Sequence, residues 1–281
     1  MEKLLKYCLS FLVFIVLFSS CNSKEVDTSN LSQQERRELA KETYKNATFF
    51  HQGSARSVSG IYHATQIDST YDKAVRELSV AYLKRGMPHK WKPQFEKAVK
   101  LNPTEWVPWR GYLYLLFYRD YKKAIADFDA SDVLTPNFID RPQGQSVDYW
   151  RGVAYLGLKD TKNSIAYFDK YIDQETKEAG EDWVELTAFL YRGIAHYESE
   201  NYEKALINFD LLLKYSEDLY ADGKYYKALI YNKQGKVLEA KTLINSAIED
   251  FKDGYYNNHN YVEVLREIYL EDLELLQREL N

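Results

Sequence analysis

Residues able to carry acid–base, nucleophilic or metal chemistry are few in this sequence and poorly spaced for it. The five histidines are His51, His63, His89, His196 and His259. No two lie one helical turn apart and none stands beside a cysteine, so no zinc-type ligand spacing is formed. Asp127, Asp129 and Asp132 begin like an oxygen-ligand calcium loop. The loop's Gly and closing Glu are missing, however, and the stretch carries a helical pattern, so it reads as a solvated helix face. There is no glycine-rich phosphate loop and no nucleophile elbow. Neither catalysis nor a cofactor or metal is therefore expected. The net charge of −5 excludes a nucleic-acid partner, because phosphate binding needs clustered Lys and Arg.

Cysteine offers a different chemistry. Lys3 and Lys6 precede an apolar run from Leu9 to Phe18, which ends in Ser19 and Ser20 directly before Cys21. The run is short for a bilayer span and suits an export leader covering residues 1–20. Phe18-Ser19-Ser20-Cys21 resembles the lipobox of bacterial lipoproteins. That resemblance implies cleavage before Cys21, lipid attachment to its thiol and a place in the cell envelope; Asn22, rather than Asp, points by the same resemblance to the outer membrane. The competing reading is an ordinary secretory leader with an incidental Cys. Cys8, the only other cysteine, lies within the leader, so no disulfide is available to the mature chain. Residues 21–30 are polar and lack apolar periodicity, as a flexible tether does.

The elements that would position any site come from an internal repeat. WRGYLYLLFYRDYKKAIADFD from Trp109, WRGVAYLGLKDTKNSIAYFD from Trp150 and YRGIAHYESENYEKALINFD from Tyr191 align, their starts 41 residues apart. Weaker copies begin at Val75 and Tyr225. Each copy has a small residue followed three places later by a ring: Ser79 and Tyr82, Gly111 and Tyr114, Gly152 and Tyr155, Gly193 and His196, Ala228 and Tyr231. A second pair follows: Trp91 and Phe95, Ala124 and Phe128, Ser164 and Phe168, Ala205 and Phe209, Ala240 and Ile244. The small residue lets two helices approach closely. The residue three places on lies one turn along the same face. Each helix pair hides only one face, so neighbouring pairs must stack. In this frame His196 is a core ring, and Arg151 and Arg192, which precede the repeated glycine, are structural.

The pattern resembles the tetratricopeptide repeat, a helix–turn–helix unit of about 34 residues. The resemblance implies an all-α solenoid of about five repeats over residues 72–251. Trp91 and Ile244 depart from the pattern, as the end repeats of a solenoid commonly do. The longer period here places a loop around Pro142 and Gly144 and longer helices around Gly180. Residues 31–50 are helix-forming, while the Ser- and Gly-rich stretch 51–70 carries no clear element; together 31–71 read as a helical or irregular segment. Tyr261, Leu265, Ile268, Tyr269, Leu273, Leu276 and Leu280 repeat at helical spacing, so residues 252–281 read as a capping helix.

In proteins of this family the first helix of each pair lines a concave groove that receives a peptide or partner helix. Carried onto this sequence, the groove presents Arg76, Tyr112, Tyr149, Leu156, Leu190, Tyr197, Tyr225 and Leu229. Such a lining is apolar and aromatic, suiting an apolar peptide or amphipathic helix. The alternative is that these tyrosines fill the core or pack beneath the terminal helix. The expected function is a non-enzymatic protein-binding adaptor, lipid-anchored in the envelope. A structural role in outer-membrane assembly, activation of a peptidoglycan enzyme and glycan capture are the competing functions.

Overall fold

The computed structural model describes residues 28–281; the leader, Cys21 and most of the tether lie outside the described residues. The described residues hold thirteen α-helices and no strand. In our numbering these are α1 (Gln33–Thr48), α2 (Ala55–Ile67), α3 (Asp72–Lys84), α4 (Pro88–Leu101), α5 (Pro103–Tyr118), α6 (Tyr121–Leu134), α7 (Val147–Gly157), α8 (Thr161–Glu178), α9 (Leu186–Glu198), α10 (Tyr202–Tyr215), α11 (Ala221–Lys233), α12 (Val237–Lys252) and α13 (Leu270–Glu279). The architecture is an all-α tetratricopeptide-type solenoid. The described residues fall into two compact units, residues 28–81 and 82–281.

In the first unit α1 and α2 form a helical hairpin. Ser32 and Glu35 close a reciprocal capping box at the start of α1. Ala40, Ala47, Ile61, Ala64 and Ile67 are buried together with Tyr71 and Ala74. Residues 51–70, which carried no clear element in the sequence, therefore contain a full helix. Ser54 is its N-cap. Gly60 is the close-approach residue: a Cβ there would lie 2.7 Å from that of Ala47. Arg37 pairs with Asp68 at 2.6 Å and ties the two ends of the hairpin.

In the second unit the helices pack as the repeat dictates, α5 on α6, α7 on α8, α9 on α10 and α11 on α12, with each second helix also packing on the next first helix. The glycine and ring device is visible in contact. A Cβ at Gly111, Gly152 or Gly193 would fall within 3 Å of the ring of Phe128, Phe168 or Phe209 respectively, and all three rings are fully buried. The turn between paired helices is also repeated. Gly86, Arg119, Lys159, Glu200 and Gly235 all adopt left-handed φ. The next residue's N–H then donates back to the carbonyl of the repeat ring at Tyr82, Tyr114, Tyr155, His196 or Tyr231. Asp120, Asp160 and Asn201 follow as N-caps of the second helices.

The basic residue before four of the five small positions joins successive pairs. Arg110 on α5 grips Asp127 of α6 through two bonds of 2.7 and 2.8 Å and Glu96 of α4 at 2.8 Å. Arg151 on α7, 1% exposed, reaches Asp148 beside it and Asp129 and Asp132 on α6. Arg192 on α9 holds Asn208 and Asp169, and Lys227 on α11 pairs with Asp210 on α10. The acidic triplet thus serves arginines.

Two expectations about length need correction. Around Gly180 only α8 is extended; a short 3₁₀ turn then precedes α9, which keeps thirteen residues. The C-terminal helix covers only Leu270–Glu279 and packs on α12 through Leu273 and Leu276. Residues 253–269 are not helical. An extended chain rises about 3.3 Å per residue against about 1.5 Å in a helix, and these residues have a long path to cover.

Candidate partner-binding groove

The first helices α5, α7, α9 and α11 stand side by side. Across the face they form runs an irregular strap, residues 255–268. It follows α12 and begins against the start of α11, where the Ala221 N–H donates to the Tyr255 carbonyl at 2.8 Å. Asn257 is the central fastening: its backbone N–H donates to Asp222 Oδ2 and its side-chain amide to the Tyr191 hydroxyl, both at 2.9 Å. His259 lies edge-on to Phe117, and the Lys84 ammonium sits over the Tyr261 ring. Glu263 accepts an ion pair from Arg119 at 2.8 Å. The strap then turns back. Arg266, itself in left-handed φ, grips Glu198 of α9 with two bonds. Val264 and Ile268 are buried at 7% and 3% exposure, so the strap carries core contacts of its own.

Asp222 is the most perturbed acid of the site. It is fully buried and its Oδ1 has no hydrogen-bond partner. Burial pushes its carboxyl up to about 7, the Asn257 N–H opposing the shift only in part. Burial also raises the Tyr149 and Tyr191 phenols, which therefore stay neutral. His259 is lowered by burial and by Lys84. Neutral phenols and a neutral imidazole suit hydrogen bonding and stacking.

Between the strap and α5, α7 and α9 remains a cavity of about 190 Å³. Tyr112, Tyr149, Trp150 and Tyr191 form much of its wall, with Leu116 and Val153 between them and Asn257, His259 and Glu263 on the strap side. The rings are locked edge to face: Tyr112 and Tyr149 each lie within 4.9 Å of Trp150. Trp150 Nε1 donates to the Pro142 carbonyl, and the Tyr149 hydroxyl bonds Thr187 at 2.7 Å.

The expected groove residues divide accordingly. Tyr112 and Tyr149 meet at the cavity but are buried by the protein itself. Leu156 and Leu190 are core residues at 0% and 1% exposure, turned away from any open surface. Tyr197 and Tyr225 are half-buried against Tyr226. Leu229 is half-buried on α11. Arg76 lies in the first unit and pairs with Glu77. Arg119, Asp222, Asn257, Glu263 and Arg266 were not anticipated. The one sequence signal for them is the run Asn257-Asn258-His259-Asn260, poor helix formers beginning three residues after Gly254.

Comparison with known proteins agrees with this geometry. The tetratricopeptide repeat family model matches residues 77–105 and 149–177. The chain carries tetratricopeptide repeats. Solved tetratricopeptide structures superpose on it. Pseudomonas aeruginosa PilF is 16% identical, with 78% of this chain and 93% of that chain covered and a TM-score of 0.60. PilW, a widely conserved type IV pilus biogenesis factor, is 16% identical with 79% and 95% covered and a TM-score of 0.59. A tetratricopeptide repeat protein from Parabacteroides merdae is 13% identical with 99% and 98% covered and a TM-score of 0.53. Identities this low speak to the fold alone. A search of curated proteins found no match. No helix among the described residues is long and apolar enough to cross a membrane.

Proposed function

We propose that this protein is a non-enzymatic adaptor of the cell envelope, anchored in the outer membrane through a lipid on Cys21, and that its inner face binds an extended partner peptide in exchange for the strap. The strap carries the reading. It shows the kind of contacts this face makes with a polypeptide: a carboxylate for a backbone N–H at Asp222, a phenol for an amide at Tyr191, a guanidinium for an acid at Arg119 and a carboxylate for a base at Glu198. A partner segment offering the same groups would compete for them, the edge contacts giving orientation and the aromatic floor giving area.

The test is photo-crosslinking in the native cells. A photoreactive residue at Gln143, an exposed position at the cavity edge, is compared in the otherwise wild-type chain and in one loosened by Arg266→Ala. A discrete partner whose yield rises when the strap is loosened is the expected result; crosslinks confined to the chain itself in both forms would overturn the groove reading. The anchor is tested separately by labelling cells with an alkyne fatty acid. Label on the wild type and none on Cys21→Ser is expected, and an unlabelled wild type would remove the lipid from the proposal.

A further inference from the structure

We infer that the cavity beneath the strap is a binding site for one uncharged aromatic ring bearing a hydrogen-bonding group, such as a phenol. This rests on the groove reading and adds a ligand class to it. Size comes first. An apolar cavity of about 150 Å³ in another protein is enough to hold benzene, and this one is about 190 Å³. Its walls are next. Tyr112, Tyr149 and Trp150 are fixed against one another at ring distances of 4.8 and 4.9 Å. A rigid aromatic wall receives another ring edge-on or offset, at little cost in side-chain entropy.

Charge narrows the class. The ionic groups at the cavity edge, Arg119 and Glu263, neutralise each other. His259 accepts from the Tyr261 N–H at Nδ1 and is kept neutral by its surroundings, which leaves a proton to donate at Nε2. A charged ligand would be stripped of water with no counter-charge to meet it.

Hydrogen-bonding capacity narrows it again. The Tyr149 hydroxyl is engaged by Thr187, Tyr191 by Asn257, and the Asn258 amide by the Tyr256 carbonyl. Tyr112 is different. It is 5% exposed and lines the cavity, and burial raises its phenol, so it stays a neutral donor there. Tyr112 and His259 can serve one hydroxyl or indole N–H. They cannot serve the several hydroxyls of a sugar, whose remaining groups would be left unpaired.

The ring can come from a partner peptide's side chain or from a free small molecule. Saturation-transfer NMR on the purified protein distinguishes the two, using N-acetyl-tyrosinamide and p-cresol as probes, with cyclohexanol and methyl glucoside as comparisons. Two variants accompany it, each checked for a native melting curve. Leu116→Trp fills the cavity. Tyr112→Phe keeps the ring and removes the hydroxyl. Saturable binding of p-cresol, lost in Leu116→Trp and weakened about five- to tenfold in Tyr112→Phe, is expected from loss of one hydrogen bond. Equal binding of N-acetyl-tyrosinamide assigns the ring to a peptide; binding of p-cresol alone assigns it to a small molecule, and either supports the site. Absence of p-cresol binding, unchanged binding in Leu116→Trp, or equal binding of cyclohexanol overturns it. The crosslinking result above is independent of these outcomes, so the ring site and the groove can fail separately.

Discussion

Replacing Asp222 by Asn should make the protein more stable in mild alkali and no more stable in mild acid. Asp222 is fully buried, and its carboxyl is raised from 3.8 to about 7. A raised acid contributes its stability fully below its unfolded-state value and loses it as pH climbs through the folded one. The span of about three units corresponds to roughly 4 kcal/mol, spread over the interval from about pH 4 to about pH 7. Asn cannot ionise, so the variant escapes this loss while keeping an acceptor for the Asn257 N–H. Its amide N–H₂ then points where Oδ1 now stands without a partner, a cost of about 1–3 kcal/mol. The net gain at about pH 8 is therefore about 1–3 kcal/mol, with the sign reversing at about pH 5. Urea unfolding of both proteins at the two pH values, followed by circular dichroism, reads the difference directly, because all other titrating groups cancel. A stability difference that does not change with pH would refute the buried-carboxyl argument.

Other perturbations test the repeat and the strap. Gly193→Ala places a Cβ about where the Phe209 ring now lies, 2.5 Å away. Overpacking of about 1–3 kcal/mol outweighs the gain in helix propensity of about 1 kcal/mol, so the melting temperature should fall. Arg151→Met should cost about 3 kcal/mol in urea unfolding, since Asp148 stays buried and only Lys170 remains beside it. Arg266→Ala should cost only about 1 kcal/mol, because the pair with Glu198 is a quarter exposed. Hydrogen exchange should nonetheless quicken selectively over residues 255–268 while the helices keep their protection.

The repeats were legible because three independent rules agree on them. The Gly111, Gly152 and Gly193 series needs a close approach, the Phe128, Phe168 and Phe209 series fills it, and one period joins the two. The structural roles read for Arg151, Arg192 and His196 held for the same reason. The helix at 55–67 was hidden because Gly60 and the serines look like loop residues. In place, Gly60 is the small residue of a tight helix crossing and Ser54 is a cap. The terminal helix was overextended for the opposite reason. Ile268 fits a helical period with Leu265, yet its burial comes from lying across other helices, and spacing alone does not reveal which surface takes up an apolar side chain. The buried groove residues Leu156 and Leu190 share that cause: a family position names a face, and this chain packs that face itself.

The strap also sets the terms on which any partner can bind. A face already held by its own chain is available only in the fraction of molecules whose strap is open, and the apparent affinity falls by that fraction. The fastenings are uneven. Arg119 with Glu263 and Arg266 with Glu198 are partly solvated ion pairs, each worth about 1 kcal/mol or less. Val264, Ile268 and the Asn257–Asp222 bond are buried and hold more firmly. Opening should therefore begin at the charged turn near Arg266 and stop at Asn257. A partner that engages Glu198 and Arg119 first can gain a foothold without displacing the whole segment. Ionisation of Asp222 strengthens the bond it accepts from Asn257 while destabilising the buried site around it. The second effect is the larger, as the raised carboxyl shows, so an opening that lets water reach Asp222 is favoured as pH rises through about 7, and hydrogen exchange at Asn257 across that range is the measurement that checks it.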